Sequence, residues 1–538
     1  MVNICRDYKS ALRALNSLQS NSMALANSKK RLLKENRQQN AANEETMQLC
    51  EILGIDIEKL SKRAFHVAGT KGKGSTCSMV ESMLRSHGYS TGLYTSPHLV
   101  TVRERIRLNG ACISEEMFAY YFWLCWDLLE KSRSDYLSNH LNWFFYLTLL
   151  ALKIFSDKNL DSAIIEVGIG GRIDYTNVLT SPAVCGITLL DYDHTNVLGT
   201  TIQEIAQEKA GILKPNTPVV TVEQQPEALK VILQKAKEIN SPIFLSHPSV
   251  SLYTQSVPSL SDSSLGIKPE FMQRNACLSI ALLDVWFQRS PTSKVTHTKC
   301  FPQYSLPLDN SLNVPFYPTF TLSSECINGL LTHHWPGRAH IVSMANHPIC
   351  FYLDGAHTIQ SMKLCIEWYS SCTRHLTQLK RILIFNVSKP RDPQALLTPV
   401  VQAIQTGLHF SQVYFTKSQL HPSRRKDGSN DLSYEQNTDE AWQVEQTKIW
   451  QDLVSFIKQR TGSNLTHQSV SWPSVQSSST VDEVIGQIID HSKSQPGVRY
   501  EVLVTGSLYL VGAVLELLNY PIDQVYETSD NSRTAKTQ

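Results

Sequence analysis

Residues 65–76 read FHVAGTKGKGST, and this stretch decides the fold of the chain around it. The apolar run Phe65–Ala68 predicts a short buried strand, and a helical pattern follows the glycines from Cys77 onward. A strand, a glycine-rich turn and a helix N-terminus together favour phosphate binding, because backbone N–H groups converge on the anion and the helix dipole attracts it. The alternative is a tight strand-to-helix turn that carries lysines.

The turn departs from the strict P-loop pattern GxxxxGK[ST]. Val67 stands where the first glycine belongs, and Gly74 follows Lys73 directly, so a shortened GxxGKGS pattern remains. The lysine ammonium can still reach the terminal phosphates, and the hydroxyl of Ser75 or Thr76 can face a magnesium ion. The predicted phosphate-binding residues are Gly69, Gly72, Lys73, Gly74 and Ser75.

Length and composition narrow the class of protein. At 538 residues the chain is long enough for two or more domains, and its 42% hydrophobic content is ordinary for a soluble globular protein. The net charge of +2 argues against a general nucleic-acid binder. The 12 cysteines include no CxxC pair, which indicates reduced thiols in a cytosolic protein. The most apolar stretch, residues 141–155, is too short to span a bilayer.

Two further strand patterns lead to residues of types that often bind metals in proteins. Residues 162–167 carry Glu166 near the end of an apolar run, and residues 182–190 lead to His194. In a largely parallel sheet such strand ends meet near the phosphate-binding turn. A carboxylate, an imidazole and a hydroxyl can hold magnesium beside the phosphates. The alternatives are that Glu166 is a buried acid paired with Arg172 and that His194 is a loop histidine with ordinary hydrogen bonds.

The order of the patterns predicts two α/β domains. Strands and helices alternate, which is typical of a largely parallel sheet. Between residues 290 and 332 the pattern weakens and prolines appear, so we expect a hinge there or just after. A second alternating block begins at Trp335. Residues 417–479 are polar and serine-rich apart from a helical pattern at 440–458, and we expect a surface insertion there.

Three stretches carry a resemblance to a known family: HVAGTKGKGST at 66–76, TSPHL at 95–99 and VRERIRLNG at 102–110. They closely resemble the folylpolyglutamate synthase group of the Mur ligases, a family of ATP-dependent amide-bond formers. The resemblance extends over residues 5–415 and 480–520. The resemblance favours phosphate binding by residues 69–75 over the alternative of a tight strand-to-helix turn that only carries lysines.

The resemblance implies a fold as well as an activity. Residues 1–332 are expected to form a P-loop-type domain with a mainly parallel sheet that binds ATP, magnesium and folate. Residues 333–538 are expected to form a smaller Rossmann-like α/β domain that completes the ATP and glutamate sites. The family places a cleft between the two domains.

The resemblance also assigns metal-binding roles. It implies that Ser96, Glu166 and His194 bind magnesium. Lys209, in the stretch QEKAG, resembles a lysine that is carbamylated in the family and supports a second metal. The alternative for Lys209 is a lysine at a helix C-terminus that interacts with the helix dipole.

Residues of the second block are expected to contact the substrates. By resemblance, Arg338 and Asp354 reach ATP, while Asp354 and His357 shape the site of the incoming amino acid. The family usually has asparagine after this histidine, whereas this chain has Thr358. Residues 389–392, KPRD, match a family loop to which we assign no role.

The implied reaction adds L-glutamate to the γ-carboxylate of a tetrahydrofolate glutamate tail through an acyl phosphate. ATP and Mg²⁺ are the implied cofactors, with a monovalent cation such as K⁺ as an optional addition. We expect a monomer without nucleic-acid or membrane partners. Residues 8–19 resemble the family's first helix, so we expect a cytoplasmic protein and leave room for a mitochondrial pool. The expected catalytic residues are Lys73, Glu166, His194, Lys209, Asp354 and His357.

Three alternatives remain at this point. A dihydrofolate synthase, alone or bifunctional, would use the same ATP site on dihydropteroate. A cell-wall Mur ligase would share the fold, although the TSPHL stretch argues against it. A nucleotide-binding scaffold would show no glutamate-dependent ATP turnover.

Overall fold

The computed structural model describes residues 6–18, 39–132, 141–254, 270–295, 313–389, 391–418, 420, 440–461, 471–478, 480–522 and 534–535. These residues form two compact units. The first unit contains the described residues up to Ser96 and those from Arg103 to His334. The second unit contains Pro97–Val102, the described residues from Trp335 to Ile522, and Thr534–Ala535.

The first unit is built on an eight-stranded sheet. Its strands are β1 (Ala64–Ala68), β2 (Thr91–Tyr94), β3 (Ile106–Leu108), β4 (Ala111–Cys112), β5 (Ser162–Glu166), β6 (Val184–Ile187), β7 (Val219–Thr221) and β8 (Ile243–Leu245). The spatial order is β4-β3-β2-β5-β1-β6-β7-β8. From β2 to β8 in this order the neighbouring strands pair in parallel, whereas the β2–β3 and β3–β4 pairs are antiparallel. The mainly parallel sheet expected from the alternating pattern is confirmed.

Helices cover this sheet. They are α1 (Tyr8–Ser17), α2 (Gln39–Ile52), α3 (Ile57–Ser61), α4 (Lys73–Ser86), α5 (Glu115–Ser132), α6 (Trp143–Asp157), α7 (Thr195–Leu198), α8 (Ile202–Ala210), α9 (Pro226–Glu238), α10 (Ser251–Thr254), α11 (Glu270–Arg289) and α12 (Ser324–Thr332). Short 3₁₀ helices occupy Val102–Arg105 and Tyr175–Val178. Gly54, with a positive φ of 66°, lies between α2 and α3 and separates the two helices.

The β3–β4 hairpin was not anticipated. Its turn is formed by Asn109 and Gly110, which both have positive φ, at 51° and 85°. An Asn-Gly pair is the residue choice that a type I′ hairpin turn requires. The signal was therefore present in VRERIRLNG, but strands of three and two residues are too short for an alternating pattern to show.

The second unit contains a seven-stranded sheet. Its strands are β9 (His340–Met344), β10 (Ile349–Leu353), β11 (Leu379–Phe385), β12 (Gln412–Thr416), β13 (Ser474–Ser478), β14 (Arg499–Thr505) and β15 (Thr534–Ala535), in the spatial order β13-β12-β11-β14-β10-β9-β15. Its helices are α13 (Ile359–Thr373), α14 (Pro393–Gln405), α15 (Glu440–Thr461), α16 (Val481–Ser494) and α17 (Leu508–Leu517). Of the pairs formed by its described strands, only β9–β10 is antiparallel.

Both faces of this sheet are buried. Phe351 and Val502 belong to one apolar cluster together with residues of α16 and α17. Their neighbours Tyr352 and Leu503 point to the other face and pack with residues of α13, α14 and α15. A parallel sheet covered on both faces is the Rossmann-like arrangement that was expected.

The described part of residues 417–479 is not confined to the surface, which corrects the expectation of a surface insertion. β13 extends the sheet by parallel pairing with β12. α15 buries Trp442 and Trp450 in the apolar cluster that also contains Phe415. The polar composition concealed this, because one helix face carries the few large apolar side chains.

Within the part of the chain that the structure describes, no helix is both long and apolar enough to cross a membrane.

Candidate active site

Four parallel strands of the first sheet bring the predicted site residues to one edge. β2, β5, β1 and β6 are consecutive neighbours. Ser96 follows β2, Glu166 ends β5, the glycine-rich turn follows β1, and His194 lies on the segment after β6. Because the strands are parallel, all four segments leave the sheet at its carboxyl edge, where ligands of open α/β sheets bind.

Glycine is required at two positions of the predicted phosphate-binding turn. Gly69 and Gly72 have φ of 146° and 90°. A Cβ on Gly69 would collide with the hydroxyl of Thr188, and a Cβ on Gly72 would collide with the side-chain amide of Asn275. Gly72 is also the N-cap of α4, so the helix begins at Lys73 within the turn. Gly74 and Ser75 lie in the first turn of α4, where N–H groups face the anion site.

The turn is bonded to the segment that follows β6. The backbone N–H groups of Thr70 and Lys71 both donate to the carbonyl oxygen of Leu189, at 3.1 and 3.0 Å. The hydroxyl of Thr70 donates to the carbonyl oxygen of Asp191 at 3.1 Å. The turn therefore has a defined conformation before any phosphate arrives, which lowers the entropic cost of binding.

Lys71 joins the turn to the loop that carries His194, a link that the sequence did not suggest. Its ammonium lies 3.3 Å from Oδ2 of Asp193, and both side chains are largely buried. The other carboxylate oxygen of Asp193 accepts the N–H of His194 at 3.0 Å. His194 itself is exposed and has a left-handed backbone with φ of 52°. Burial lowers the pKa of Lys71, and Asp193 opposes this shift.

Glu166 and Ser96 are brought into direct contact. Glu166 is 3% exposed, and its Oε2 accepts the backbone N–H of Ser96 at 2.8 Å. The alternative interpretation of Glu166, a buried acid paired with Arg172, is not what the structure shows. Arg172 bonds instead to Glu208 on α8, with nitrogen–oxygen distances of 2.7 and 2.9 Å.

The oxygen atoms near the turn suit a magnesium ion that is shared with phosphates. The Glu166 carboxylate and the Ser96 hydroxyl are hard donors. The hydroxyl of Thr76 is buried and has no hydrogen-bond partner among the described residues. Among the described residues, no three His, Cys, Asp or Glu side chains lie close enough together to form a metal centre. Glu166 and His194 are therefore not part of a three-residue metal site of these side chains. Magnesium tolerates this, because it usually retains waters and phosphate oxygens.

Lys209 lies beneath the turn and not at an exposed helix end. It is 4% exposed, and its Nζ donates to the carbonyl oxygen of Gly69 at 2.9 Å. Burial lowers the pKa of Lys209 to about 7, and the positive charge of Lys73 adds to the shift. Lys209 lies in the last turn of α8, as the alternative requires, but its Nζ bonds to the glycine-rich turn.

Asp174 fixes the glycine-rich segment after Glu166 and was also missed. Its Oδ2 accepts the N–H groups of Gly168 and Ile169, both at 3.1 Å. Its Oδ1 accepts the N–H and the hydroxyl of Thr176, at 3.0 and 2.6 Å. The Asp-x-Thr spacing is a recognised local turn signal, so the sequence did contain a clue.

In the second unit, Asp354 and His357 follow β10 at the carboxyl edge of its sheet, whereas Arg338 precedes β9. Asp354 is buried, and its Oδ2 accepts the N–H of Ala339 at 2.9 Å. Burial raises the pKa of Asp354, and the charge of Arg338 opposes the rise. Nδ1 of His357 donates to the carbonyl oxygen of Gly355 at 2.7 Å. Because a carbonyl oxygen only accepts, Nδ1 of His357 carries a proton.

Thr358, the departure from the family pattern, has a local role. It is the N-cap of α13, and its side chain forms a capping box with Ser361. Threonine, like asparagine, is a favoured N-cap residue, and here it caps the helix.

Comparisons with known proteins identify the family of the chain. The model of the Mur ligase middle domain matches residues 67–255. The mitochondrial folylpolyglutamate synthase of Homo sapiens is 33% identical, and the match covers 96% of this chain and 93% of that protein. A folylpolyglutamate synthase of Arabidopsis thaliana is 34% identical, with coverage of 87% and 82%.

Solved structures show the same fold. The folylpolyglutamate synthase of Mycobacterium tuberculosis, solved with ADP and AMPPCP, superposes with a TM-score of 0.63 at 22% identity. The superposition covers 88% of this chain and 95% of that one. The expected fold class, two α/β units of the Mur ligase type, is therefore confirmed. The chain belongs to the folylpolyglutamate synthase family of Mur ligases.

Proposed function

We propose that the chain is an ATP-dependent ligase that joins L-glutamate to the γ-carboxylate of a tetrahydrofolate glutamate tail. The folylpolyglutamate synthases of Homo sapiens and Arabidopsis thaliana are similar over most of their length. The observation that carries the proposal is the pre-formed turn at Gly69–Ser75, with the buried carboxylate of Glu166 at the same sheet edge. An anion-binding turn beside a magnesium-binding carboxylate is what phosphoryl transfer from ATP needs.

The reaction has two steps. ATP transfers its γ-phosphoryl group to the substrate carboxylate, which gives an acyl phosphate and ADP. The amine of free glutamate then attacks the acyl carbon, phosphate leaves, and an isopeptide bond remains. Both reactants of the first step are anions, so the site must neutralise their repulsion before they can approach.

The residues of the first unit have distinct tasks in this proposal. The N-terminus of α4 binds the phosphates through backbone N–H groups, and Lys73 adds a mobile positive charge. Glu166, Ser96 and His194 would hold magnesium, whose charge would neutralise the phosphate oxygens during transfer. The Lys71–Asp193 pair and Asp174 hold the surrounding loops in position.

Lys209 is proposed to carry a carbamate. Its pKa of about 7 leaves much of the amine neutral near pH 7, and only a neutral amine can add to carbon dioxide. A carbamate would place a negative charge close to Lys73. That charge would suit a second metal.

The remaining assignments are also part of the proposal. Residues 1–332 would bind ATP, magnesium and folate, while Arg338, Asp354 and His357 of residues 333–538 would contact ATP and glutamate. The protein would act as a monomer without nucleic acid, in the cytoplasm and in a mitochondrial pool like that of the human relative. Size-exclusion chromatography with light scattering tests the oligomeric state.

The deciding experiment supplies purified protein with ATP, magnesium, tetrahydrofolate and radiolabelled glutamate, and separates the products by chain length. We expect a ladder of lengthened folates that disappears in Lys73→Ala. Parallel reactions with dihydropteroate identify a dihydrofolate synthase. A folded wild type that incorporates no glutamate with either acceptor contradicts the proposal.

A further inference from the structure

Helix α15 and the loop after β11 are two features to which no role has been assigned. α15 lies within the polar region 417–479. The loop begins at Asn386, directly after β11 ends, and includes Lys389. The structure connects the two features through a small set of buried contacts.

Both backbone polar groups of Val387 bond to side chains of α15. The indole Nε1 of Trp442 donates to the carbonyl oxygen of Val387 at 2.6 Å. The amide oxygen of Gln446 accepts the N–H of Val387 at 3.3 Å. Both side chains are buried, and Gln446 has no exposed surface. α15 therefore supplies the bonds that a neighbouring strand would supply if β11 continued.

The orientation of the Gln446 amide is itself determined by α15. Its Nε2 donates to the carbonyl oxygen of Trp442 at 3.4 Å, which leaves the oxygen facing Val387. A buried N–H or carbonyl group without a partner is costly, so Val387 has a strong preference for this one position. The start of the loop is thus held by the helix and not by its own short sequence.

Trp442 also contacts the side chain of Lys389. The Lys389 ammonium lies 4.6 Å from the centroid of the indole ring, within the range of a cation–π interaction. The lysine is otherwise exposed. One indole therefore sets the backbone at Val387 and restricts the position of a positive charge two residues later.

This charge lies at the functional edge of the second sheet. β11, β14 and β10 are consecutive parallel neighbours, so the loop after β11 leaves the same edge as the Asp354–His357 segment. Gly506, which follows β14, has a φ of 98°, and a Cβ there would collide with the carbonyl oxygen of Asn386. The three strand-end segments are therefore packed side by side.

We propose that Trp442 and Gln446 are positioning residues, which hold Lys389 at this edge as a cation for an anionic group of a substrate. The anion is either a carboxylate of glutamate or a phosphate oxygen of ATP, which share the chemistry that an ammonium recognises. The inference rests on the proposed function for the identity of these substrates. It gives the region 417–479 a part in the reaction.

Steady-state kinetics of three single variants, and of the double variant of Lys389 and Trp442, test the proposal, with glutamate and ATP varied in turn. Lys389→Met removes the charge from an exposed side chain. Trp442→Phe retains an aromatic ring but removes the N–H that bonds to Val387. Val444→Ala, on the same helix and 58% exposed, is the matched control. Thermal melting verifies that each variant folds.

We expect Lys389→Met to raise the KM of one of the two substrates by about two- to tenfold, with a smaller change in kcat. Which KM rises identifies glutamate or ATP as the source of the anion. Trp442→Phe should raise the same KM, and the double variant should be no worse than Lys389→Met alone, because both act through one ammonium. Val444→Ala should match the wild type.

An unchanged KM for both substrates in Lys389→Met overturns the proposal, and so does full additivity in the double variant. If Trp442→Phe melts at a lower temperature than the wild type, Lys389→Met still decides whether the Lys389 charge contributes to substrate binding. Wild-type turnover separately tests the proposed function. Should the wild type prove inactive, equilibrium binding of ATP and of glutamate to wild type and Lys389→Met gives the same decision.

Discussion

The ammonium of Lys209 donates a hydrogen bond to the backbone carbonyl oxygen of Gly69, across 140 positions of sequence, at 2.9 Å. This bond anchors the first glycine of the phosphate-binding turn to α8. It also places a titratable group under the turn with almost no access to water. The charge state of Lys209 therefore affects both the fold and the nucleotide site.

The first prediction concerns pH and stability. The native pKa of Lys209 is about 7, whereas the unfolded chain has the ordinary value of 10.5. Between these values the unfolded state binds one more proton than the native state, so stability rises with pH. Relative to Lys209→Met, the free energy of unfolding of wild type with an unmodified Lys209 amine should increase by up to about 1.4 kcal/mol per pH unit from pH 7 to 10.

Urea denaturation at several pH values measures this difference. The methionine variant is close in size and cannot titrate, so other titrating groups cancel in the comparison. Parallel curves for the two proteins across this range contradict the assigned pKa.

The second prediction concerns the glycine at the start of α4. Gly72→Ala forces a Cβ into a left-handed backbone and against the amide of Asn275. We expect the free energy of unfolding to fall by about 2 kcal/mol. The free energy of ATP binding should weaken by more than this, since the N–H groups of the turn lose their alignment. Calorimetric titration with a non-hydrolysable ATP analogue and thermal melting measure the two effects.

Gly486→Ala is the control for this substitution. Gly486 lies within α16, has open space around it and has no positive φ, so alanine should be neutral or slightly stabilising there. Adding Asn275→Ala to Gly72→Ala removes the collision but retains the backbone strain. Partial recovery of ATP affinity is the expected result, and no recovery would show that the collision is unimportant.

These residues show how far local sequence signals extend. The strand before Gly69, the helix after it and the strand that ends at Glu166 were predicted, because each is encoded by a run of neighbouring residues. The common edge for Glu166 and His194 followed from the parallel order of the strands. Topology was thus accessible from pattern and family likeness.

The partners of the charged residues could not be predicted from the sequence. Arg172 was considered a partner for Glu166, six residues away, but it bonds to Glu208. Lys71 appeared to be one more lysine of the turn until the fold placed Asp193 beside it. Such pairs depend on tertiary distances that no local pattern contains, and a buried charge accepts whichever partner the packing supplies.

The third prediction concerns that pair. Lys71→Ala removes the cation that faces Asp193 and frees the carboxylate that holds the His194 N–H. A charge-assisted hydrogen bond of this kind is worth about 1.5–3 kcal/mol, so we expect kcat/KM to fall at least tenfold. Lys62→Ala, which breaks an exposed pair with Glu58, should leave kcat/KM unchanged. If Lys71→Ala and Lys62→Ala have equal kcat/KM, Lys71 does not position the loop that carries His194.

The fourth prediction separates the charge of Glu166 from its structural role. Glu166→Gln retains a side-chain oxygen that can accept the N–H of Ser96, so the variant should fold with nearly the wild-type melting temperature. It loses the negative charge that would hold magnesium, so we expect turnover to fall by about 100-fold or more and the magnesium requirement to rise. Turnover measured across a magnesium titration tests this, with Glu58→Gln as an exposed control. If Glu166→Gln instead melts early and keeps its magnesium dependence, Glu166 serves the fold through Ser96, and the metal must be held by other oxygen atoms at this edge.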